Sequence, residues 1–177
     1  DEAYYEFSGK TVASLVPQYS NLVVLRSFSK WAGLAGLRIG YGIMDSTVAD
    51  RLMVIKPPYN ISITAEVAVM ASLEDRELLL SRVNSIVHDR DYVFAKLQEL
   101  NGVTPVPSHA NFILCHLPTR KGNMVYQELA KQGIFVRYYD TPLLRDYIRV
   151  SIGLPQHNQT FLSELGKILL RIGENNG

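Results

Sequence analysis

With 177 residues, of which 47% are hydrophobic and 20% charged, the chain has the composition of a folded globular protein, not of a disordered or fibrous one. Its formal net charge of +1 and its scattered basic residues argue against a nucleic acid or an acidic membrane surface as a partner. No apolar stretch approaches the roughly 20 residues that span a bilayer, and a single cysteine excludes an internal disulfide, so we expect a cytoplasmic protein.

The first hundred residues predict two strands followed by helices. The continuous apolar run Leu22–Leu25 is typical of a strand buried on both faces of a parallel sheet. After a glycine-rich turn, apolar residues at every second position of 37–43 predict another strand with one face in a core. Residues 46–55 predict a short helix. A longer helical pattern, in which Ile63, Val67 and Met70 share one face, continues to about residue 100.

From Gly102 onwards, strands alternate with helices. We predict strands at 103–106, 111–117, 134–139 and 147–152, a helix at 124–131, and a last amphipathic helix that places residues 161, 165, 168 and 172 on one side. Cys115 lies in an apolar run and is expected to be a buried, inert thiol. The four histidines lie far apart without the spacing of metal ligands, so no metal site is predicted.

This order predicts an α/β fold in three parts. We assign residues 1–58 to an incomplete first lobe, 59–100 to linking helices, and 101–177 to a compact α/β lobe. Two strands are too few for a stable doubly wound sheet, so the other strands of the first lobe are expected to lie outside this sequence.

The sharpest chemical signal is a lysine in an apolar setting. Lys30 comes directly after a buried-type strand and two hydroxyl residues, and Phe28 and Trp31 are its large neighbours in the sequence. Desolvation by such neighbours lowers the pKa of an ammonium, and a neutral amine is what condensation with an aldehyde requires. The alternative is an ordinary surface lysine, which is the more common role of an isolated lysine.

Three further residues close to this lysine suit an anion. Ser27 and Ser29 could donate hydrogen bonds to a phosphate, and Arg38 could clamp it with two parallel bonds. Glycines beside Arg38 would let the anion approach the backbone closely. The alternative role of Arg38 is a structural ion pair.

These residues form a recognisable motif. The stretch Ser27–Tyr41, SFSKWAGLAGLRIGY, resembles the cofactor-lysine motif of the fold-type-I aminotransferases, which use pyridoxal 5'-phosphate, and is most similar to the histidinol-phosphate aminotransferase branch. The opening DEAY, SHANF from Ser108 and YIRVSIG from Tyr147 resemble further segments of that branch. The similarity implies an α/β fold, the C-terminal part of the pyridoxal-phosphate-dependent transferase fold, with a remnant of the large-domain sheet and a complete small domain.

The resemblance also implies the residues that handle the cofactor. Lys30 is expected to bind pyridoxal phosphate covalently and then to shuttle a proton between the substrate and the cofactor. Asp1 is expected to pair with the pyridine nitrogen, and Tyr4 to donate a hydrogen bond to the ring oxygen. The cofactor phosphate is expected to be held by Ser27, Ser29 and Arg38.

Two arginines are implied to bind the substrate. Arg149 is expected to grip the α-carboxylate of the substrate, on a strand where Tyr147, Arg149 and Ser151 face one way and apolar residues the other. Arg137, on the preceding strand, is expected to bind the phosphate of the substrate, as in this branch of the family. Trp31 is a departure, because the branch often has a small residue there.

The implied reaction is transamination between histidinol phosphate and 2-oxoglutarate, a step of histidine biosynthesis, by an enzyme that is a homodimer at full length. A threonine-phosphate decarboxylase and an aromatic aminotransferase of the same fold remain open as alternatives. A non-enzymatic alternative is an inactive domain whose exposed apolar edge associates with another chain. The 177-residue chain by itself is expected to transaminate poorly or not at all.

Overall fold

The computed structural model describes residues 1–118 and 121–174, which form two compact units divided between Asn84 and Ser85. The first unit contains α1 (Tyr5–Ser8), β1 (Val24–Ser27), β2 (Gly40–Ile43), α2 (Ser46–Ile55), α3 (Ile63–Glu74), the beginning of α4 (Arg76–Gln98), and short 3-10 helices at Ala13–Gln18 and Ala35–Leu37. The second contains the end of α4, β3 (Thr104–Val106), β4 (Phe112–His116), α5 (Gly122–Lys131), β5 (Arg137–Tyr138), β6 (Tyr147–Ser151) and α6 (Pro155–Glu174). The predicted three-part division stays a prediction. Within the described ranges, none of the helices is both long and apolar enough to cross a membrane.

The sheet of the first unit is an antiparallel pair. Val24 of β1 lies opposite Ile43 of β2, and Ser27 lies opposite Gly40. The expectation of a strand buried on both faces is wrong, because Val24 is buried whereas Leu25 is 51% exposed. Side chains alternate between the two faces of a strand, and the face on which Leu25 lies is only partly covered.

The second strand is shorter than the stretch of alternating apolar residues that predicted it. Residues Ala35–Leu37 form one turn of 3-10 helix, and the backbone of Arg38 is left-handed, with φ 53° and ψ 47°. The ladder therefore begins only at Gly40, although Ile39 is buried as the pattern predicts. One of the residues that break the strand, Arg38, belongs to the predicted phosphate site.

The predicted helices of this unit are confirmed, but one apolar face is not packed. The Asp45 carboxylate caps α2 by accepting a hydrogen bond from the Thr47 amide. On α3, Ile63, Val67 and Met70 share a face as predicted, yet they are 80%, 64% and 56% exposed. Helical spacing alone indicates which side chains lie together, not whether another element covers them.

The second unit is a four-stranded antiparallel sheet with helices packed on one face. The strand order is β3-β4-β6-β5. Side chains alternate along β4 and β6, so that Ile113, Cys115 and Ile148 point into the core. The helical side of that core is formed by Val93, Leu97, Val125, Leu129, Phe161, Leu165 and Ile168. The opposite face of β6 carries Arg149, as the alternation predicted.

Two local findings concern predicted elements of this unit. The strand expected at 134–139 is reduced to β5, because the Ile134 amide donates to Leu129 O and closes the end of α5 instead of joining the ladder. Cys115 is fully buried, and burial raises the pKa of its thiol to about 12. At neutral pH it is therefore a protonated, inert thiol, as expected.

Candidate active site

The predicted cofactor lysine lies in the loop that joins β1 to β2. The Phe28 amide donates to Ile39 O (3.2 Å) and closes the base of this loop, while the Gly33 amide donates to Lys30 O (3.3 Å) and forms a tight turn inside it. Gly33 has φ 70°, a backbone conformation that favours glycine. The loop carries Ser29, Lys30 and Arg38 on a base fixed by the two strands, and Ser27 ends β1 beside it.

The aromatic neighbours of Lys30 do not enclose its amine. Phe28 and Trp31 are buried, with ring centroids 5.6 Å apart, and Phe28 also contacts the ring of Tyr41 at 5.5 Å. Lys30 itself is exposed. The expectation that this turn desolvates the lysine is therefore wrong for the described chain, because residues adjacent in sequence point in different directions.

The amine of Lys30 is nevertheless brought to a second predicted site residue. Its Nζ lies 5.9 Å from the centroid of the Tyr4 ring, although the two residues are far apart in the sequence. In the described part of the chain, the side-chain amine of Lys30 forms no ion pair or hydrogen bond. The Asp1 carboxylate accepts a hydrogen bond from the Ala3 amide (2.9 Å) and is exposed. The amine thus lies next to the segment that carries Asp1 and Tyr4.

Glu2, which the sequence did not single out, anchors the first residues of the chain to β1. Its carboxylate accepts hydrogen bonds from Thr11 Oγ1 (2.9 and 3.0 Å) and from the Val12 amide (2.8 Å). It forms an ion pair of 3.0 Å with Arg26 of β1, and the two side chains are only 11% and 13% exposed. The Glu2 amide also donates to Leu25 O (2.7 Å). Glu2 therefore holds the opening segment in place.

The pKa of Glu2 reflects this network. Burial raises the pKa, but hydrogen bonds from Val12, Thr11 and Arg26 and the positive charge of Arg26 outweigh it, so the pKa lies below its ordinary value of 4.5. A carboxylate whose pKa is lowered by folding stabilises the folded state at higher pH. The stabilisation is complete above the ordinary pKa and is lost as the pH falls through the lower folded-state pKa.

Replacing Glu2 with glutamine is expected to lower the free energy of unfolding of the first unit by about 1–3 kcal/mol, because it removes a buried charge from several hydrogen bonds. The fluorescence of Trp31, the single tryptophan, reports urea unfolding of this unit. We expect wild type to lose stability in acid and Glu2→Gln to lose less. Glu99→Gln, which removes an exposed pair with Lys96, is the control with little effect. Equal effects of the two substitutions would contradict the anchoring role.

Arg38 combines an unusual backbone with an unpaired cation. Among the described residues it is the only non-glycine residue with positive φ. The left-handed conformation costs a residue with a Cβ about 1–2 kcal/mol. Its guanidinium donates to Ala35 O (3.1 Å) and meets no carboxylate in the described residues, so the alternative of a structural ion pair is not seen. Strain at such a position is a pointer to function.

The two predicted substrate arginines are neighbours in the second unit. Arg137 of β5 and Arg149 of β6 lie directly opposite each other across the antiparallel ladder. The guanidinium carbon of Arg149 lies 5.0 Å from the centroid of the Phe112 ring, and that of Arg137 lies 5.1 Å from the Tyr139 ring. Neither arginine forms an ion pair in the described residues, and the buried Nε of Arg149 has no hydrogen-bond partner there. Like charges directly opposite on paired strands destabilise a sheet.

Comparison with known proteins establishes the family. A model of aminotransferase class I and II matches residues 1–165. The chain belongs to this family. The histidinol-phosphate aminotransferase of Dehalococcoides mccartyi (strain ATCC BAA-2266 / KCTC 15142 / 195) is 45% identical over 168 residues, which are 95% of this chain and 47% of that protein. The chain thus spans about half the length of the curated relatives it matches.

Solved aminotransferases have the same fold. The histidinol-phosphate aminotransferase from Clostridium acetobutylicum superimposes with a TM-score of 0.86 at 27% identity, over 97% of this chain and 53% of the other. The enzyme from Sinorhizobium meliloti, in complex with pyridoxal-5'-phosphate, gives a TM-score of 0.84 at 25% identity, over 97% and 48%. The family resemblance and the fold class predicted from the sequence, the C-terminal part of the pyridoxal-phosphate-dependent transferase fold, are confirmed.

Sequence reasoning overlooked two residues that the structure places beside the predicted site residues. Glu2 stands beside Asp1 in the opening motif, and a charged residue at position 26 of an apolar strand was a signal that an acidic partner exists. Tyr139 follows Arg137 by two positions, a spacing that places side chains on one face of a strand.

Proposed function

We propose that the chain is the C-terminal half of a pyridoxal-phosphate-dependent aminotransferase that transfers an amino group between histidinol phosphate and 2-oxoglutarate. The observation that carries the choice of substrate is the Arg137–Arg149 pair, which presents two cations with no acidic partner in the described residues. A site of this kind suits a ligand that carries two negative charges.

The residues around Lys30 fit pyridoxal phosphate by their chemistry. Ser27 Oγ accepts a hydrogen bond from the Ser29 amide (3.0 Å), so the hydroxyl proton of Ser27 is available to a phosphate. Arg38 adds a guanidinium that meets no acidic side chain in the described residues. Together with the Ser29 hydroxyl these groups are hydrogen-bond donors on this loop and at the end of β1 beside it, and such donors suit an anion. The free amine of Lys30 lies in the same loop and suits an aldehyde.

When bound, pyridoxal phosphate supplies an electron-withdrawing ring that accepts negative charge from the substrate carbon. Lys30 is assigned to hold the cofactor and, once released, to carry the proton that leaves that carbon on its Nζ. Asp1 is assigned to keep the ring nitrogen protonated through its carboxylate, and Tyr4 to donate its hydroxyl proton to the ring oxygen. The anchor at Glu2 positions both of these residues.

The arginine pair suits both partners of the reaction. Histidinol phosphate has no carboxylate, and its phosphate carries a charge of about −1.5 to −2 at pH 7. 2-Oxoglutarate carries two carboxylates. We assign Arg137 to the phosphate of histidinol phosphate. We assign Arg149 to two groups in turn: this phosphate when histidinol phosphate is bound, and a carboxylate when 2-oxoglutarate is bound. Two cations that repel each other are then neutralised in each half of the reaction by a dianion.

Replacing Arg38 with glycine is expected to separate cofactor binding from folding. Glycine accepts the left-handed backbone, so the free energy of unfolding should rise by about 0.5–1 kcal/mol, measured by Trp31 fluorescence in urea. Affinity for pyridoxal phosphate should fall about 10- to 100-fold, because charge-assisted hydrogen bonds are lost. Arg38→Ala, which keeps the strained backbone, should lose the same affinity without the gain in stability. Unchanged cofactor affinity in both variants would exclude Arg38 from the phosphate site.

A second candidate function is association without catalysis, which the exposed apolar residues of α2, of α3 and of the segment between them favour. Val54, Ile55, Tyr59 and Ile63 are among its exposed residues. Such a surface is typical of an interface. The same surface is compatible with a homodimer of the full-length enzyme, which we also propose. A cytoplasmic location remains a prediction.

The experiment that tests the function uses a full-length polypeptide. By this we mean a polypeptide that contains this sequence and is as long as its relatives. The N-terminal half of the Dehalococcoides mccartyi relative can supply the remaining residues. We expect glutamate to form from 2-oxoglutarate with histidinol phosphate as the donor, faster than with phenylalanine. Release of CO₂ from threonine phosphate would instead identify the enzyme as a decarboxylase. Failure to bind cofactor or to react with any donor would favour the association function. The 177-residue chain alone is expected to be poorly active.

A further inference from the structure

The ring of Tyr139 lies close to both substrate arginines. Its centroid is 5.1 Å from the guanidinium carbon of Arg137 and 5.9 Å from that of Arg149. We propose that Tyr139 is a positioning residue that holds the two guanidiniums as a single two-cation site, which selects ligands with two negative charges over ligands with one. The proposal rests on the assignment of this arginine pair to the substrate.

The electrostatic reason is that an aromatic ring can balance repulsion without neutralising charge. Arg137 and Arg149 face each other directly across the β5–β6 ladder, where like charges repel. The face of an aromatic ring carries partial negative charge and attracts a cation within about 6 Å. A carboxylate at this place would hold the arginines equally well, but it would compete with the anion that they bind. A neutral ring holds them and leaves their full charge to the ligand.

The two arginines depend on this ring to different degrees. Arg149 has a second aromatic contact, with Phe112 at 5.0 Å, and part of its side chain is buried. Arg137 is exposed, and Tyr139 is its only aromatic partner in the described residues. An unrestrained surface arginine loses side-chain entropy when it binds an anion, and the ring removes part of that cost in advance. Loss of the ring should therefore affect Arg137 more than Arg149.

The backbone that carries the ring is fixed. The Thr141 amide donates to Tyr139 O (3.0 Å), and Tyr138, the preceding residue, pairs with Ile148 of β6. Tyr138 also stacks on Tyr126 of α5, with centroids 5.7 Å apart. The backbone of Tyr139 is thus held next to the sheet, and Tyr139 itself is half-buried. A change of its side chain alone should leave β5 and β6 in place.

The test is a titration of the 177-residue chain with inorganic phosphate, in which the Nε–Hε NMR resonances of Arg137 and Arg149 are followed separately. Acetate serves as the probe with one charge. Tyr139→Leu is expected to weaken phosphate binding about tenfold, through the loss of two cation–ring contacts, and acetate binding less than about twofold. Tyr139→Phe keeps the ring and should bind phosphate within about twofold of wild type. Tyr92→Leu, at an exposed tyrosine of α4, is the control without effect.

A second variant separates the electrostatic role from packing. Pentafluorophenylalanine at position 139 keeps the size of the ring but reverses the charge of its face, so it should weaken phosphate binding as Tyr139→Leu does. If this variant or Tyr139→Leu binds phosphate like wild type, while Arg137→Ala does not, the role of Tyr139 is overturned and the arginine pair stands. If Tyr139→Phe weakens binding as much as Tyr139→Leu, the hydroxyl acts instead of the ring. If neither arginine responds to phosphate in wild type, the assignment of the pair to a dianionic substrate fails as well.

Discussion

Replacing Lys30 with arginine in the full-length polypeptide is expected to lower kcat by at least about 10²–10⁴-fold, the usual contribution of a positioned proton-transfer group. Arginine keeps the positive charge, but it stays protonated at any working pH and cannot condense with an aldehyde or accept a proton. The loss should appear in kcat for every amino donor, because the proton transfer is common to them all. The measurement is the rate of glutamate formation, together with the absorbance of bound cofactor.

The matched control is Lys10→Arg, at an exposed lysine of the same unit. It should leave both the rate and the absorbance unchanged. If Lys30→Arg retained the rate of wild type, Lys30 would be an ordinary surface lysine, which its exposure in the described chain would then explain. If the variant lost the rate but kept the covalent cofactor absorbance, another amine would hold the cofactor.

Replacing Arg137 with alanine is expected to raise KM for histidinol phosphate about 10- to 100-fold, because the phosphate loses charge-assisted hydrogen bonds. Phenylalanine carries no phosphate, so its KM should change little. Arg149→Ala should raise KM for both donors, since Arg149 is assigned to the phosphate of histidinol phosphate and can equally bind the carboxylate of phenylalanine. The measurement is kcat and KM for each donor with the full-length polypeptide.

The control for this prediction is Arg82→Ala, which removes an exposed arginine of α4 to which no substrate role is assigned. Its kinetics should match those of wild type. Equal losses for histidinol phosphate and phenylalanine in Arg137→Ala would remove Arg137 from the phosphate role. The aromatic aminotransferase alternative would then be the better description of the enzyme.

Elements that follow from local sequence could be predicted well. The helices at α2 and α5 and the strand β6 have periodic patterns that are complete within the element itself. β5 was overestimated, because the Ile134–Leu129 hydrogen bond that ends α5 depends on the neighbouring turn. Strand propensity describes a segment in isolation. It therefore does not include a hydrogen bond to a neighbouring helix, which here removes Ile134 from the strand.

The surroundings of the site could be predicted only in part. The motif located Lys30 and Arg38, and the alternation on β6 gave the direction of Arg149. The exposure of Lys30 and Leu25 was missed, since it depends on which elements pack over the hairpin and not on adjacent residues. The Glu2–Arg26 ion pair joins residues 24 positions apart. The sequence indicates that Arg26 needs an acidic partner, but it does not show that Glu2 is that partner.

Borohydride reduction of the full-length polypeptide after incubation with pyridoxal phosphate, followed by peptide mapping, identifies the amine that holds the cofactor. We predict that the label is found on the peptide containing Lys30, and that it disappears in Lys30→Arg. Label distributed over other exposed lysines, such as Lys10 and Lys56, with Lys30 unmodified, would contradict the assignment of Lys30 as the cofactor lysine.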